Sequence, residues 1–134
     1  MSKYNYTLKK KTSLVTGAAG YLGEIISETL SGLESNIILV DSDKKKLTKV
    51  ATKIKLVSNY KVDIIACDLT LPSSIKKIKD YIVKNYGQLD VLVNSIGLVG
   101  TNTMKGWNTE FKGQNKKTWN KAIDTNLTSI FFLI

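Results

Sequence analysis

Short apolar runs alternate with amphipathic segments along most of the chain. The apolar runs are typical of β-strands buried on both faces, and they predict strands at residues 12–16, 36–40, 62–67 and 89–94. Apolar side chains between these runs recur at helical spacing, which predicts helices at residues 21–33, 44–58 and 73–86. A long segment rich in Gly, Asn and Thr follows at 95–114, and a fourth helix is predicted from about residue 115 onward.

This regular alternation predicts an α/β fold in which helices cover both faces of a parallel sheet. It is the doubly wound arrangement of the Rossmann fold, and the four predicted strands and four predicted helices make an incomplete version, because that fold normally has six strands in two halves. The length fits one domain, residues 1–134. The last helix ends on apolar residues without a cap. We therefore expect the sequence to be only the N-terminal portion of a complete Rossmann domain.

The net charge of +9 changes this interpretation little. All 20 basic residues are lysines, whereas recognition of bases and phosphates in nucleic acids favours the bidentate arginine side chain. The lysines occur in scattered pairs and triples, which indicates solvated helix faces and no nucleic-acid partner. A positive field that attracts an anionic cofactor or substrate is the alternative.

The composition also indicates the cellular compartment of the protein and limits the kinds of site that it can form. Cys67 is the only cysteine and the chain has no histidine, so an internal disulfide and a zinc site are not expected and no metal is predicted. The lysine-rich N-terminus lacks the apolar core of a signal peptide, and no apolar run approaches the roughly 20 residues of a membrane helix. We therefore expect a cytoplasmic protein that does not bind membranes.

A glycine motif joins the first predicted strand to the first helix. Gly17, Gly20 and Gly23 lie in the sequence TGAAGYLG, where Tyr21 and Leu22 begin the helix. Glycines let a backbone turn tightly and approach a pyrophosphate, and the N–H groups at a helix N-terminus attract that anion. The motif predicts a dinucleotide site, with an ordinary strand-to-helix turn as the alternative.

Asp41 follows the second predicted strand. It lies 18 residues after Gly23, near the spacing of roughly 20 expected for the acid that binds an adenosine ribose. Its carboxylate would accept hydrogen bonds from the ribose hydroxyls and repel a 2′-phosphate, which favours NAD over NADP. Asp41 is alternatively only part of the cap of the next helix, and a lysine from residues 44–46 would soften the NAD preference by folding back.

Five further positions give the chain a resemblance to the short-chain dehydrogenase/reductase family over its whole length. Asp68 and Leu69 resemble the pair that contacts adenine in that family. Asn94 and Gly97, in the sequence NSIG, resemble a motif that stabilises the central sheet and lines the cofactor pocket. Asn126 resembles a helical asparagine that helps to hold a water molecule in the proton relay of the family.

The sequence departs from the family pattern at several positions. Tyr21 replaces the middle glycine of the most populous branch, and the glycine spacing is commoner in the branch that modifies sugar nucleotides. Ser95 and Ile96 replace Asn and Ala. The catalytic Ser and Tyr-x-x-x-Lys of the family are not matched. Tyr6 and Lys10 have that Tyr–Lys spacing but precede the first strand, so we assign them no role.

The resemblance implies an oxidoreductase of the short-chain dehydrogenase/reductase type, which moves hydride between NAD and a carbonyl or hydroxyl carbon of a small-molecule substrate. We expect the chain to be inactive alone. Its possible partners are further copies of the same chain in a homo-oligomer and another chain that completes the fold. The alternative is a non-catalytic dinucleotide-binding fragment or one half of a split enzyme.

Overall fold

The computed structural model describes residues 6–99, 105–107 and 109–134. Its strands are β1 Thr12–Thr16, β2 Asn36–Asp41, β3 Val62–Ala66 and β4 Val91–Asn94. Its α-helices are α1 Tyr21–Gly32, α2 Lys44–Val57, α3 Pro72–Tyr86, α4 Lys116–Ile123 and α5 Ser129–Leu133. The predicted alternation of strands and helices is confirmed.

The strands form one parallel sheet in the order β3, β2, β1, β4. The chain passes outward from β1 to β3 and then returns to the other side of β1 as β4. Because all strands run in the same direction, Thr16, Asp41, Ala66 and Asn94 end along one edge. The order reverses between β1 and β4, and ligands of open α/β sheets bind outside the carboxyl ends of the strands at such a reversal.

Two apolar layers hold the helices against the sheet. Alternate side chains of a strand point to opposite faces, so β1 and β2 supply both layers, and this accounts for their continuous apolar sequences. The layer under α1 and α2 contains Val15, Ile37, Leu39, Leu47 and Ile54, whereas the layer under α3 contains Leu14, Ile38, Val40, Ile78 and Ile82.

Side chains set the helix ends close to their predicted positions. The carboxylate of Asp43 accepts the Lys46 N–H at 3.0 Å and caps α2. Asn115 caps α4 in the same way. The left-handed backbone of Gly87 ends α3 and directs its N–H to the Ile82 carbonyl at 3.0 Å.

The predicted start of the fourth strand was wrong by two residues. β4 begins at Val91 rather than at residue 89. The reason lies in Asp90, whose N–H bonds to the Thr12 carbonyl while its carboxylate accepts the Thr12 N–H and the Lys11 ammonium at 2.9 Å each. These contacts hold Asp90 in the turn at the amino end of the sheet.

The predicted fourth helix consists of three consecutive helical parts. α4 passes into a π-helical turn at Asp124–Thr128, which passes into α5 with right-handed helical dihedrals at both junctions. The predicted loop 95–114 includes a 3₁₀ turn at Phe111–Gly113, and its residues 100–104 and 108 lie outside the described residues. Within the described ranges, no helix is both long enough and apolar enough to cross a membrane.

A polar cluster braces β3 against the end of α3. Asp63 accepts hydrogen bonds from the phenols of Tyr86 at 2.6 Å and Tyr81 at 2.9 Å, and the Lys61 ammonium lies 3.3 Å away. Partial burial acts to raise the pKa of Asp63, but these three neighbours hold it below its usual value. The pKa of Tyr86 is raised by burial and by the Asp63 carboxylate.

Tyr86→Phe should lower the free energy of unfolding by about 1–2 kcal/mol at pH 7, because it removes a short bond to a charged group. The depressed pKa of Asp63 means that its contribution is present above its unfolded pKa and is lost as the pH falls through the folded value. The deficit of the variant should therefore shrink below about pH 4. Urea unfolding over pH measures it, with the exposed Tyr21→Phe as control. A deficit independent of pH would contradict the assignment.

Candidate functional site

A cleft of about 730 Å³ opens at the carboxyl edge of the sheet. Four strand-to-helix connections line it, namely residues 17 and 20 after β1, 41–42 after β2, 67–70 after β3 and 95–98 after β4. Residues 117, 120, 121, 124 and 125 of α4 and the π turn form the remaining wall. The cleft lies at the strand-order reversal and has the size of a small-molecule or cofactor site.

Close packing defines the glycine loop between β1 and α1. Gly17 has a φ of +63°, and a Cβ there would lie 2.7 Å from the Ser95 carbonyl oxygen. A Cβ on Gly23 would overlap the Gly17 carbonyl oxygen and lie 2.8 Å from the Cα of Ala18. Larger residues at these two positions would push the loop away from β4 or α1 away from the loop.

The N-terminus of α1 faces the cleft without a side-chain cap. Its N-cap is Gly20, which lines the cleft and has no side chain to accept a hydrogen bond from the first turn. By contrast, Asp43 caps α2 and Asn115 caps α4. The first N–H groups of a helix have no intrahelical acceptor, so this end of α1 is suited to an anion.

Asp41 ends β2 and joins the two turns beside it. One carboxylate oxygen accepts the Ala19 N–H at 3.1 Å, and the other accepts the Asp43 N–H at 2.9 Å. The residue that caps α2 is Asp43, and Asp41 also bonds to the glycine loop, so the role of Asp41 is not limited to the start of that helix. Each carboxylate oxygen can accept a second hydrogen bond, and Asp41 also lines the cleft. It therefore fixes the glycine loop while retaining acceptor capacity for a ligand.

The connection after β3 supplies one charged wall of the cleft. Asp68 Oδ1 accepts the N–H and the hydroxyl of Thr70 at 2.9 and 2.7 Å, which shapes the turn before α3. Leu69 is almost fully buried in the layer under α3 and also reaches the cleft. Partial burial raises the pKa of the Cys67 thiol beside them, so this thiol is neutral at pH 7.

Thr16 and Ser95 tie the end of β4 to the end of β1. The Ser95 hydroxyl donates to the Thr16 carbonyl at 2.9 Å, and the Ser95 N–H donates to the Thr16 hydroxyl at 3.2 Å. The side-chain oxygens of Thr16 and Asn94 lie 3.5 Å apart. Ser95, although it departs from the motif, therefore secures the floor of the cleft.

Asn126 holds the segment that follows β4. Its Oδ1 accepts the Leu98 N–H at 2.6 Å and its Nδ2 donates to the Leu98 carbonyl at 3.1 Å. The side chain comes from the π turn and passes close to Gly97. Both polar ends of this side chain thus bind main chain, and the role of Asn126 in a water relay stays a prediction.

The structure brings together six of the residues singled out from the sequence. The cleft is lined by Gly17, Gly20, Asp41, Asp68, Leu69 and Gly97. Tyr21 and Leu22 instead point to solvent, with 85% and 60% of their surface exposed. Gly23, Asn94 and Asn126 are outside the lining but contact residues at or beside the cleft, namely Gly17, Thr16 and Leu98 respectively. Tyr6 and Lys10 precede β1 at the opposite edge.

Sequence reasoning missed the wall formed by α4. Lys117, Asn120, Lys121 and Asp124 recur at helical spacing and occupy one polar face of this helix. That spacing was available from the sequence. Their position over the cleft was not, because periodicity alone does not say what a polar face covers.

Comparison with known proteins places the chain among dehydrogenases. The family model described as short chain dehydrogenase matches residues 11–134. The 3-oxoacyl-[acyl-carrier-protein] reductase FabG of Buchnera aphidicola is 31% identical over 124 residues, which cover 92% of this chain and 46% of that protein. The protein of the same name from Escherichia coli K12 is 30% identical, with 92% and 46% covered. The chain therefore spans about half the length of these relatives.

Solved structures share the fold. A citronellol catabolism dehydrogenase of Pseudomonas aeruginosa superposes with a TM-score of 0.83 at 22% identity, over 99% of this chain and 51% of that one. A metagenomic short-chain oxidoreductase in complex with NADP superposes with a TM-score of 0.78 at 23% identity, over 93% and 53%.

The close contact of Gly23 gives a testable difference within α1. Gly23→Ala should lower the free energy of unfolding by about 2 kcal/mol or more, because the added methyl group meets the glycine loop. Gly32→Ala is the matched control in the same helix, where a Cβ meets nothing within 4 Å, and it should be neutral or stabilising by up to about 1 kcal/mol. Urea unfolding measures both. Equal effects would contradict the packing described.

Proposed function

The chain belongs to the short-chain dehydrogenase family, and from that premise we propose that it forms the dinucleotide-binding half of an NAD-dependent oxidoreductase. The complete protein would transfer hydride to or from a carbonyl or hydroxyl carbon of a small molecule in the cytoplasm. The observation that carries the proposal is the cleft in which an uncapped helix N-terminus, the glycine loop and Asp41 meet. The relatives named as 3-oxoacyl reductases support a carbonyl compound as substrate.

The residues present fit a bound dinucleotide. The pyrophosphate would lie against the loop that contains Gly17 and Gly20, at the uncapped N-terminus of α1 where the helix dipole is positive. The adenosine end would lie along the ends of β2 and β3, next to Asp41 and Asp68. The nicotinamide end would then lie over residues 95–98, which Asn126 holds in place.

The remaining acceptor capacity of Asp41 supports a preference for NAD. A carboxylate attracts the two ribose hydroxyls and repels a phosphate on the 2′ position. The bonds from Ala19 and Asp43 fix the orientation of this carboxylate before the ligand arrives. Such preorganisation lowers the ordering cost of binding.

The chemistry of hydride transfer would come from the nicotinamide when bound. The described residues would bind and orient it, and Asn126 would set the position of the main chain beneath the reacting ring. By family resemblance, proton transfer needs a Ser and a Tyr-x-x-x-Lys, and we propose that another half of the protein supplies them.

A dinucleotide-binding chain without catalysis, or one half of a split enzyme, is the second candidate. Translation of the reading frame beyond the codon for Ile134 distinguishes the candidates. A Ser and a Tyr-x-x-x-Lys in the same frame would support one enzyme, whereas a stop codon would support a binding chain or a split enzyme.

Asp41→Asn should weaken NAD binding by about 5- to 30-fold and raise the affinity for NADP relative to NAD, because the charge that holds the ribose and repels the 2′-phosphate is removed. Titration calorimetry with both dinucleotides measures the two dissociation constants.

The ratio of the two constants separates recognition from loop support. If Asp41 acted only through its bonds to Ala19 and Asp43, both affinities would fall by the same factor and the ratio would stay constant. Asp80→Asn is the control, because Asp80 lies on the exposed side of α3 in an ion pair with Lys76. That variant should change neither constant.

A further inference from the structure

The wall of the cleft on α4 carries positive charge, whereas the connections after β2 and β3 carry carboxylates. Lys117 and Lys121 lie one helical turn apart and line the same cleft as Asp41 and Asp68. Both lysines are exposed, and neither forms an ion pair within the part of the chain that the structure describes. Their ammonium groups are therefore available to an anion in the cleft.

The acidic side chains around the cleft would repel an anionic ligand unless positive charges offset them. Among the residues that the structure describes, the lining of the cleft includes the carboxylates of Asp41, Asp68 and Asp124 and the ammonium groups of Lys117 and Lys121. Without the two lysines, three carboxylates would face a ligand that is itself anionic. Like charges in a partly desolvated cleft repel each other, so the lysines offset a field that would otherwise oppose binding.

The helix N-termini at this edge differ in charge, since α1 has Glu24 in its first turn and Asp43 is the N-cap of α2. α2, α3 and α4 all begin at the carboxyl edge of the sheet, and none has an acidic residue in its first turn. Asp and Glu normally stabilise that position through the helix dipole. The Asp43 carboxylate nevertheless caps α2 and the Asn115 amide caps α4, so α1 and α3 are the described helices that present uncapped N-termini at this edge.

Asp124, three residues after Lys121, lies beside the β3–α3 connection, which brings this wall of the cleft near the proposed adenosine end. α4 and the π turn pack beside the β3–α3 connection, since Asp124 and Leu69 line a shared groove with Thr70. The ends of β2 and β3 are hydrogen-bonded neighbours, with the Asp41 carbonyl accepting the Cys67 N–H at 3.0 Å. Lys44–46 do not line the cleft, and Lys46 lies 3.4 Å from the carboxylate of Asp43.

We propose that Lys117 and Lys121 determine the tolerance of this cleft for a phosphate on the adenosine 2′ position. Resting on the proposed function, this means that Asp41 disfavours the phosphate and the two lysines partly compensate, so that NADP binds more weakly than NAD but is not excluded. The relative affinity for NAD and NADP therefore depends on the charges of both walls of the cleft, and Asp41 does not set it alone.

The test compares a lining pair with an adjacent pair on the same side of the molecule. Lys117→Gln/Lys121→Gln removes the two cleft charges and retains good helix formers. Lys112→Gln/Lys116→Gln removes the same charge from exposed positions outside the cleft. The probes are NAD and NADP, together with adenosine 5′-monophosphate and adenosine 2′,5′-bisphosphate, which report on the adenosine end alone.

At low ionic strength, the lining pair should raise the dissociation constants of NADP and of the bisphosphate about tenfold, and those of NAD and the monophosphate about twofold or less. The adjacent pair should leave both ratios unchanged. Equal losses for all four probes, or equal effects of both pairs, would overturn the inference and leave the proposed function standing. If the unaltered chain bound none of the probes, the proposed function would fail and the inference with it.

Discussion

The close approach of the β1–α1 loop to the end of β4 is the constraint on which the cleft depends. Gly17 lies so near the Ser95 carbonyl and the Ile96 backbone that a single added carbon would be 2.7 to 2.9 Å from them. Thr16 and Ser95 fasten the same junction by two hydrogen bonds. Because this contact aligns the first turn of α1 with the floor of the cleft, the uncapped end of α1 and the segment held by Asn126 face a common space.

Charged and hydrogen-bonding groups around the cleft determine its electrostatic properties. The cleft joins an uncapped helix end, carboxylates whose oxygens already bind main-chain N–H groups, and lysines without an ion pair among the described residues. Asp41 positions the glycine loop, and under the proposed function it would also face the ligand. A substitution of such a residue changes its structural hydrogen bonds and its charge together. The two roles can therefore be distinguished only by comparing the affinities of variants for different ligands.

Much of the fold could be predicted from the sequence because its signals are local. The apolar runs identified the strands, the glycines marked the turn before α1, and Asp43 and Asn115 marked helix starts. The start of β4 could not be predicted, because Asp90 is held in the turn by Thr12 and Lys11, far away in sequence. The α4 wall was missed for the same reason. Its polar periodicity is local, but its position at the same cleft as Asp41 depends on long-range packing.

Hydrogen exchange of the chain with and without NAD tests the central claim most directly, since it reports where the backbone is shielded. The account predicts slower exchange at residues 17–23, 41–42, 67–70 and 95–98, and no change around Asp63 and Tyr86 beside the opposite edge of the sheet. Slowing confined to that opposite edge, or no slowing at saturating NAD, would contradict a dinucleotide site at the carboxyl ends of the strands.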